Sequence, residues 1–287
     1  MTHARAIAAV ALVVTATFGC VPPAQLGAPN ATRPSSDLIT VLTWNVFLKQ
    51  GNVPATLETI LQADPQVVML QEVTPTLDAG LREQLTNRKF HYYWCGSKPT
   101  ADRTDHPPWY PAIASTFRFV TEPDCRVDEN RVPNGFVTAR IETPHGVVQI
   151  AAVHLAPANT NPLGWIPHAR DRLRQIETLL DELNLNPGLP TIVAGDFNEP
   201  ANGAAVQMLR RHGYADVSES ISSLRGRVTW NRCWPTGFGP IASYVDFIFH
   251  DFSFDVVNAR LLPHGPSDHT PVVAVLRPPA SHHCGSP

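Results

Sequence analysis

Short apolar runs of strand length recur from residue 39 onward, and most of them stop abruptly on a polar side chain. Spans 39–46, 66–73, 112–119, 136–142, 147–155, 190–195, 244–249 and 271–276 are β-branched or alternate in polarity, as half-buried strands do. Between them, 54–62, 75–85 and 168–183 carry helical spacing. Strands alternating with helices are the pattern of an α/β fold. Thr74 can cap the second helix, and Pro75 fits its first turn. In the third, Leu173, Ile176, Leu179, Leu180 and Leu183 form one apolar stripe, which turns Arg170, Arg172 and Asp181 outward.

The positions of the polar residues narrow the reading further. Asn45, Glu72, His154 and Asp196 each follow directly on an apolar run. Strand ends converge at one edge of the sheet in layered α/β proteins, and ligand sites gather there. Asp246 lies inside the run Tyr244-Val245-Asp246-Phe247-Ile248-Phe249 with no neighbouring Lys or Arg, and Asp268-His269 precedes the last strand. A carboxylate flanked by Val and Phe is costly to bury unless it is paired or binds a cation. Carboxylates with Asn and no cysteine make a hard, oxygen-rich set suited to Mg²⁺ or Mn²⁺. Magnesium takes only one or two protein carboxylates, so not every acid here can be a ligand. The histidines are suited to donating to a phosphoryl oxygen or moving protons.

Bulk properties bound the setting. The 287 residues with 43% hydrophobic content suit one packed domain. A formal charge of −3 excludes a global cationic field, so holding nucleic acid mainly by phosphate neutralisation is not indicated, while a local basic groove stays open. At the amino end His3 and Arg5 precede an apolar run over 6–18, too short to span a membrane and of the kind that directs export. Thr17-Phe18-Gly19-Cys20 resembles the lipobox of bacterial lipoproteins, although Thr17 and Phe18 depart from its usual residues. Both a membrane tether through lipidated Cys20 and simple cleavage into the periplasm or medium remain open. Residues 1–20 thus read as the signal, 21–37 as a Pro-rich linker, 38–278 as the single folded domain and 279–287 as a tail. A monomer is expected. With Cys20 set aside, Cys95, Cys125, Cys233 and Cys284 are an even set that an oxidising compartment would let pair. Among the possible connectivities, Cys95 with Cys125 would make a local bridge; buried free thiols are the alternative.

Six motifs in order carry a resemblance: Leu42-Thr43-Trp44-Asn45-Val46, Leu70-Gln71-Glu72-Val73, Val153-His154-Leu155, Gly195-Asp196-Phe197-Asn198, Tyr244-Val245-Asp246-Phe247-Ile248 and Ser267-Asp268-His269-Thr270-Pro271-Val272. The chain resembles the endonuclease/exonuclease/phosphatase superfamily, which includes pancreatic-type deoxyribonuclease, apurinic endonucleases, inositol-polyphosphate phosphatases and neutral sphingomyelinases. The resemblance implies a two-sheet β-sandwich flanked by helices, a four-layer α/β/β/α arrangement, with the site at one end of the sheets. It implies a metal-dependent phosphoester hydrolase in which Glu72 is the main metal ligand, with Asn45 and Asp268 close to the metal or its waters. Asp196 and Asn198 would position the attacking water and a phosphate oxygen, and His154 would bind or protonate around the phosphate. His269 would be the central histidine, oriented by Asp246. Such a set suffices for phosphoryl transfer, which needs positioning and charge stabilisation more than a covalent nucleophile.

Tyr110 is the candidate for a further phosphate contact, and Trp230 reads as a packing residue. Asp196-Phe197-Asn198 also has the form of an Asx turn. The remaining histidines, His91, His106, His145, His168, His212, His250 and His264, have no motif around them and read as solvated or structural. Nucleic acid stands ahead of phospholipid or inositol phosphate as substrate, by analogy with the deoxyribonuclease branch. A catalytically inactive binding module is disfavoured, since Glu72, Asp196 and His269 are all present.

Overall fold

The computed structural model describes residues 37–46, 52–97, 109–127, 135–157, 165–221, 224, 227–233, 240–263 and 265–279. The signal with Cys20, nearly all of the linker, His106, His264, the side chain of Cys233, and Cys284 with the tail from residue 280 lie outside the described residues.

The chain begins with β1 (Ile39–Asn45), α1 (Val53–Leu61), β2 (Val67–Val73), α2 (Pro75–Asn87), β3 (His91–Trp94) and β4 (Tyr110–Ser115). It continues with β5 (Asp124–Val127), β6 (Gly135–Thr143), β7 (Gly146–His154), α3 (Trp165–Asn184), β8 (Thr191–Asp196) and α4 (Ala204–Arg211). Last come β9 (Tyr214–Asp216), α5 (Val217–Ser220), β10 (Trp230–Cys233), β11 (Pro240–Ser243), β12 (Asp246–Asp251), β13 (Asp255–Leu261) and β14 (Val272–Arg277). The strands form two six-stranded sheets, ordered β13-β14-β1-β2-β4-β3 and β5-β6-β7-β8-β12-β9, with β10 and β11 as a separate hairpin. Each sheet is mixed: β1 with β2 and β7 with β8 are parallel, and the other pairs are antiparallel. Helices lie outside both sheets, giving the four-layer α/β/β/α sandwich.

Strand parity decides what faces what. In β7, Val148, Ile150 and Ala152 join the core shared with the first sheet, while Ala151 and Val153 join a second core with Ile176, Leu179, Leu180 and Leu183 of α3. In β8, Ile192 and Ala194 point inward and Val193 outward; in β12, Ile248 points inward and Phe247 and Phe249 outward. Side chains two apart share a face, so His154, Asp196 and Asp246 inherit the inner face. Thr74 caps α2 by accepting from Leu77 N at 3.3 Å, with Pro75 in the first turn. Among the described residues no helix is long and apolar enough to cross a membrane.

Several expectations are corrected. The third strand runs Tyr110–Ser115 rather than 112–119, and the third helix extends to Trp165–Asn184. Strands β3, β5, β9, β10, β11 and β13 and helices α4 and α5 were not expected. Arg170 and Asp181 are exposed as the helical stripe requires, but Arg172 is buried, because its guanidinium meets the equally buried Glu199.

Cys95 and Cys125 form a disulfide across a separation of 30 residues. Cys95 follows β3 and Cys125 lies in β5, the edge strands of the two sheets, so the bond ties one sheet to the other at that margin. Closing a loop of this length contributes about 3.6 kcal/mol in the chain-entropy account. Thermal unfolding of wild type beside Cys125→Ala should therefore show a drop in Tm of about 7–14 °C for the variant, and reductant should lower the Tm of wild type alone. Equal Tm values for the two proteins in the absence of reductant would show that the bond does not hold the sheets.

Candidate active site

Strand direction brings the polar ends together. Parallel β1 and β2 end on Asn45 and just past Glu72, and parallel β7 and β8 end on His154 and Asp196, which are partners in register. The antiparallel β12 begins where β8 ends, pairing Asp246 with Asp196, and the antiparallel β14 begins where β1 ends, placing Asp268 and His269 just before it. Asn45, His154, Asp196 and Asp246 thus sit at strand termini on one end of the sandwich, with Glu72 one residue before the end of β2 and Asp268 and His269 in the loop that leads into β14. Asn198 is two residues past β8, and Tyr110 starts β4 opposite Val73, the neighbour of Glu72.

Local backbone features aim these groups. The register of β2 against β4 shifts between Leu70 and Val73, and Glu72 at that irregularity has φ 58°. A left-handed glutamate is strained, and the kink re-aims its side chain, as bulges beside active sites do. Gly195 has φ 150°, and a Cβ there would fall 1.9 Å from Val153 O, so only glycine lets β8 lie this close to β7 beside Asp196. Asn198 N donates to Asp196 Oδ1 at 2.8 Å, the Asx turn, and Asn198 has φ 52°.

A network of short contacts joins the cluster. Asn45 Nδ2 donates to Glu72 Oε1 at 3.1 Å and to Asp196 Oδ2 at 3.0 Å. His154 Nε2 stands 3.6 Å from Glu72 Oε1 and 3.9 Å from Asp196 Oδ2. His269 Nδ1 lies 2.9 Å from Asp246 Oδ2 and 3.1 Å from Oδ1, and since a carboxylate only accepts, the ring nitrogen donates. This turns His269 Nε2 toward Asp196 Oδ2, 3.7 Å away. Asn198 Nδ2 donates to Leu155 O at 2.9 Å. Tyr110 packs edge-on against Trp94, with ring centroids 5.7 Å apart.

Residues that sequence reasoning left out support these. Trp230 was expected only to pack, yet its indole N–H donates to Asp268 Oδ2 at 3.3 Å, and its ring lies 6.4 Å from that of His269. Trp44 Nε1 donates to His269 O at 3.0 Å, and Ser267 Oγ donates to Asn45 O at 2.7 Å while accepting from His269 N at 3.1 Å. Thr229 Oγ1 accepts from both Val245 N and Asp246 N, fixing the start of β12. Trp44 and Ser267 stand inside quoted motifs. Thr229 carried no signal beyond its place beside Trp230.

Burial sets the electrostatics. It lifts Glu72 from its ordinary 4.5 to about 7, against the Asn45 hydrogen bond and the charge of His269. Burial also raises Asp196, with His269 opposing. It lowers His154, although the Asp196 charge pulls the other way, so His154 is neutral at pH 7. For His269, burial disfavours the cation, but the carboxylates of Asp246 and Asp196 outweigh it and hold the pKa at about 10. The site therefore combines a fixed imidazolium, a neutral imidazole and carboxylates that are short of positive charge. Ligand atoms of Asp196, Asp246 and His269 all lie within 4.8 Å of one another, a group able to coordinate a divalent metal. Asp268 Oδ1 is buried with no hydrogen-bond partner, and with the nearby Glu72 carboxylate it makes an oxygen-rich set that fits a hard cation.

Comparison with known proteins agrees with this geometry. No curated protein sequence matches the chain. Among solved structures, it is similar to an endonuclease/exonuclease/phosphatase from Beutenbergia cavernae DSM 12333, at 19% identity and TM-score 0.65, over 85% of this chain and 72% of that one. It is also similar to D. rerio TDP2 complexed with single strand DNA product, at 17% identity and TM-score 0.63, over 83% and 98% of the two chains. The human Nocturnin catalytic domain with bound sulfate anion matches at 17% identity and TM-score 0.63, over 84% and 94%. These likenesses establish the fold. The model of the Endonuclease/Exonuclease/phosphatase family matches residues 42–269, and the chain belongs to that family, with a clustered carboxylate and histidine site suited to metal-dependent phosphoester hydrolysis.

Proposed function

We propose that this protein is a Mg²⁺- or Mn²⁺-dependent phosphodiesterase acting on nucleic acid, exported from the cytoplasm. The observation that carries the chemistry is the buried Asp246–His269 pair aimed at Asp196, beside Asn45 and Glu72. The fold likeness to a structure holding a DNA product supports nucleic acid over lipid.

In this reading Glu72 holds the metal, with Asn45 and Asp268 beside it, because Asp246 and His269 Nδ1 are already committed to each other. When bound, the cation polarises a phosphate oxygen and stabilises the charge that develops in the transition state. His269, kept protonated by Asp246, donates from Nε2 to a non-bridging phosphate oxygen. Asp196 takes the proton from the attacking water as the water oxygen bonds to phosphorus; the phosphorus–oxygen bond opposite breaks in line, and the departing oxygen takes a proton from solvent and leaves as the alcohol. The raised pKa of Asp196 brings it nearer to neutral, where a base is most effective, and Asn45 Nδ2 with Asn198 N fixes the direction of its oxygens. His154, neutral and inward-facing, offers a further contact to phosphate, and Tyr110 borders the same edge.

The Cys95–Cys125 bond supports an oxidising compartment, in line with the leader at the amino end. Cys20, directly after the apolar run and Gly19, is the candidate lipid acceptor, with simple signal cleavage as the alternative. On fractionation, Cys20→Ser should move the protein from membrane to soluble fractions; a variant that still sediments with its leader attached would show that residues 6–18 act as an uncleaved anchor.

A panel of plasmid DNA, RNA, sphingomyelin and phosphoinositides, run with and without Mg²⁺, tests the activity. Hydrolysis of nucleic acid that stops on chelation, with the far-ultraviolet circular dichroism retained, is expected. Turnover confined to the lipids would reassign the substrate, and full turnover in excess chelator would remove the metal. Glu72→Gln should raise the Mg²⁺ concentration for half-maximal activity by about tenfold or more, whereas an unchanged titration would place the metal elsewhere.

Asp246→Asn keeps the shape but presents a donor where His269 needs an acceptor, so turnover should fall by about a hundredfold or more with little change in metal dependence. His269→Ala should be about as damaging, and the double variant scarcely worse than either, since residues acting as one unit are not additive. Losses that multiply in the double variant would mean that the two do not act as a pair.

A further inference from the structure

Helix α3 grips the chain just past His154. Gln175 Oε1 accepts from Ala156 N at 2.9 Å, and Arg172 Nη1 donates to Ala156 O at 3.0 Å, so side chains one helical turn apart hold both backbone groups of Ala156. The same guanidinium reaches the loop after β8, where Arg172 Nε donates to Glu199 Oε2 at 3.0 Å. The other oxygen of Glu199 accepts from Val206 N at 2.9 Å in the first turn of α4, whose N-cap, Gly203, has no side chain to do so. Arg172 is 4% exposed and Glu199 5%. Gly203 is also what makes room, since a Cβ there would fall 2.4 Å from Glu199 Cδ. Between these ties lies the Asn198 to Leu155 hydrogen bond.

A buried ion pair is a weak device for stability, because apolar side chains of similar volume hold a fold as well or better. What the planar guanidinium adds is direction: its fork fixes a carbonyl and a carboxylate at set angles. One arm is two residues past His154 and the other is one residue past Asn198. We propose that Arg172 and Glu199 are positioning residues for the hydrolytic site: through Ala156 and Glu199 they set the placement of His154 and Asn198 relative to Asp196. This rests on the hydrolase reading above.

The test pairs Arg172→Met with the double variant Arg172→Met/Glu199→Met, which removes both charges at similar volume. The single variant strands a buried carboxylate and should lose about 10 °C of Tm; the double variant should regain most of it. Turnover in the double variant should nevertheless stay about 10–100-fold down, with KM and the Mg²⁺ midpoint within about twofold of wild type, as for a displacement near 1 Å. In spectra of histidine-labelled protein, the His154 ring signals, identified by their loss in His154→Gln, should shift in the double variant. Wild-type kcat or unmoved His154 signals there would overturn the proposal and leave the pair a packing element. Gly203→Ala, which displaces Glu199 without removing charge, should reproduce the loss of kcat and the ring shift, and it serves equally should the double variant not fold; normal kcat and ring signals in it would likewise overturn the proposal. Were wild type to hydrolyse nothing in the panel, the hydrolase reading would fail while the ring spectra still decided the positioning.

Discussion

The contacts that converge on the reactive end of this molecule cross from one sheet to the other. Asn45 of β1 reaches Asp196 of β8, Glu72 of β2 faces His154 of β7, and His269, carried by the loop before β14, bonds to Asp246 of β12. The distances among these groups therefore depend on how far apart the sheets stand, and that spacing is set by the apolar side chains interleaved between them. A core at crystal-like density hardly yields, so the polar network inherits its precision from Val41, Ile150, Ile192, Ile248 and their neighbours. Trp44 links the two directly: it is fully buried and its indole N–H holds the carbonyl of His269. At the β3–β5 margin the sheets are joined covalently, through Cys95 and Cys125.

Much of this was legible because strands are directional. A polar residue ending an apolar run is visible in sequence, and the pairing of parallel strands then places such ends at one edge. Asn45, Glu72, His154 and Asp196 came from that logic, and Asp246 from the cost of burying an unpaired charge in an apolar run. Strands β3, β5, β9 and β13 were not legible for a reason that applies to all four: each carries too many polar or exposed positions to show an apolar run, and it is ordered by hydrogen bonds to a neighbouring strand, β4, β6, β12 and β14 in turn. Helix α4 buries Ala205, Val206 and Leu209, but its eight residues span too few turns for a period to stand out.

Arg172 shows a different limit. Helical periodicity locates the apolar stripe, and a charged residue off that stripe is assigned to solvent by default. Whether it is buried depends on a partner, and Glu199 arrives from a loop 27 residues later in sequence. Leu173, counted in the stripe, is only half-buried. The helix is thus rotated to present Arg172 and Gln175 to the strand end, at a small loss of apolar burial, which is the exchange expected where polar side chains must hold a site.

Strain and charge meet at the same two places. Of the four described non-glycine residues with positive φ, Asp64 follows α1 and Lys89 follows α2, but Glu72 and Asn198 belong to the site. Asparagine tolerates that conformation, since its short side chain bonds locally. Glutamate has no such relief, and the conformation costs about 1–3 kcal/mol. The same residue is largely desolvated, with its pKa lifted to about 7, so folding opposes both its backbone and its charge. A cation at the carboxylate would answer the second cost directly, by adding to the positive charge of His269, which only partly offsets the burial of Glu72. It also acts against the first, because the left-handed turn is what directs the carboxylate to the place where a cation can meet it. If Glu72 holds the metal as proposed, the ion and the kink in β2 would act as one device, with the strained backbone holding the carboxylate in position before the ion arrives.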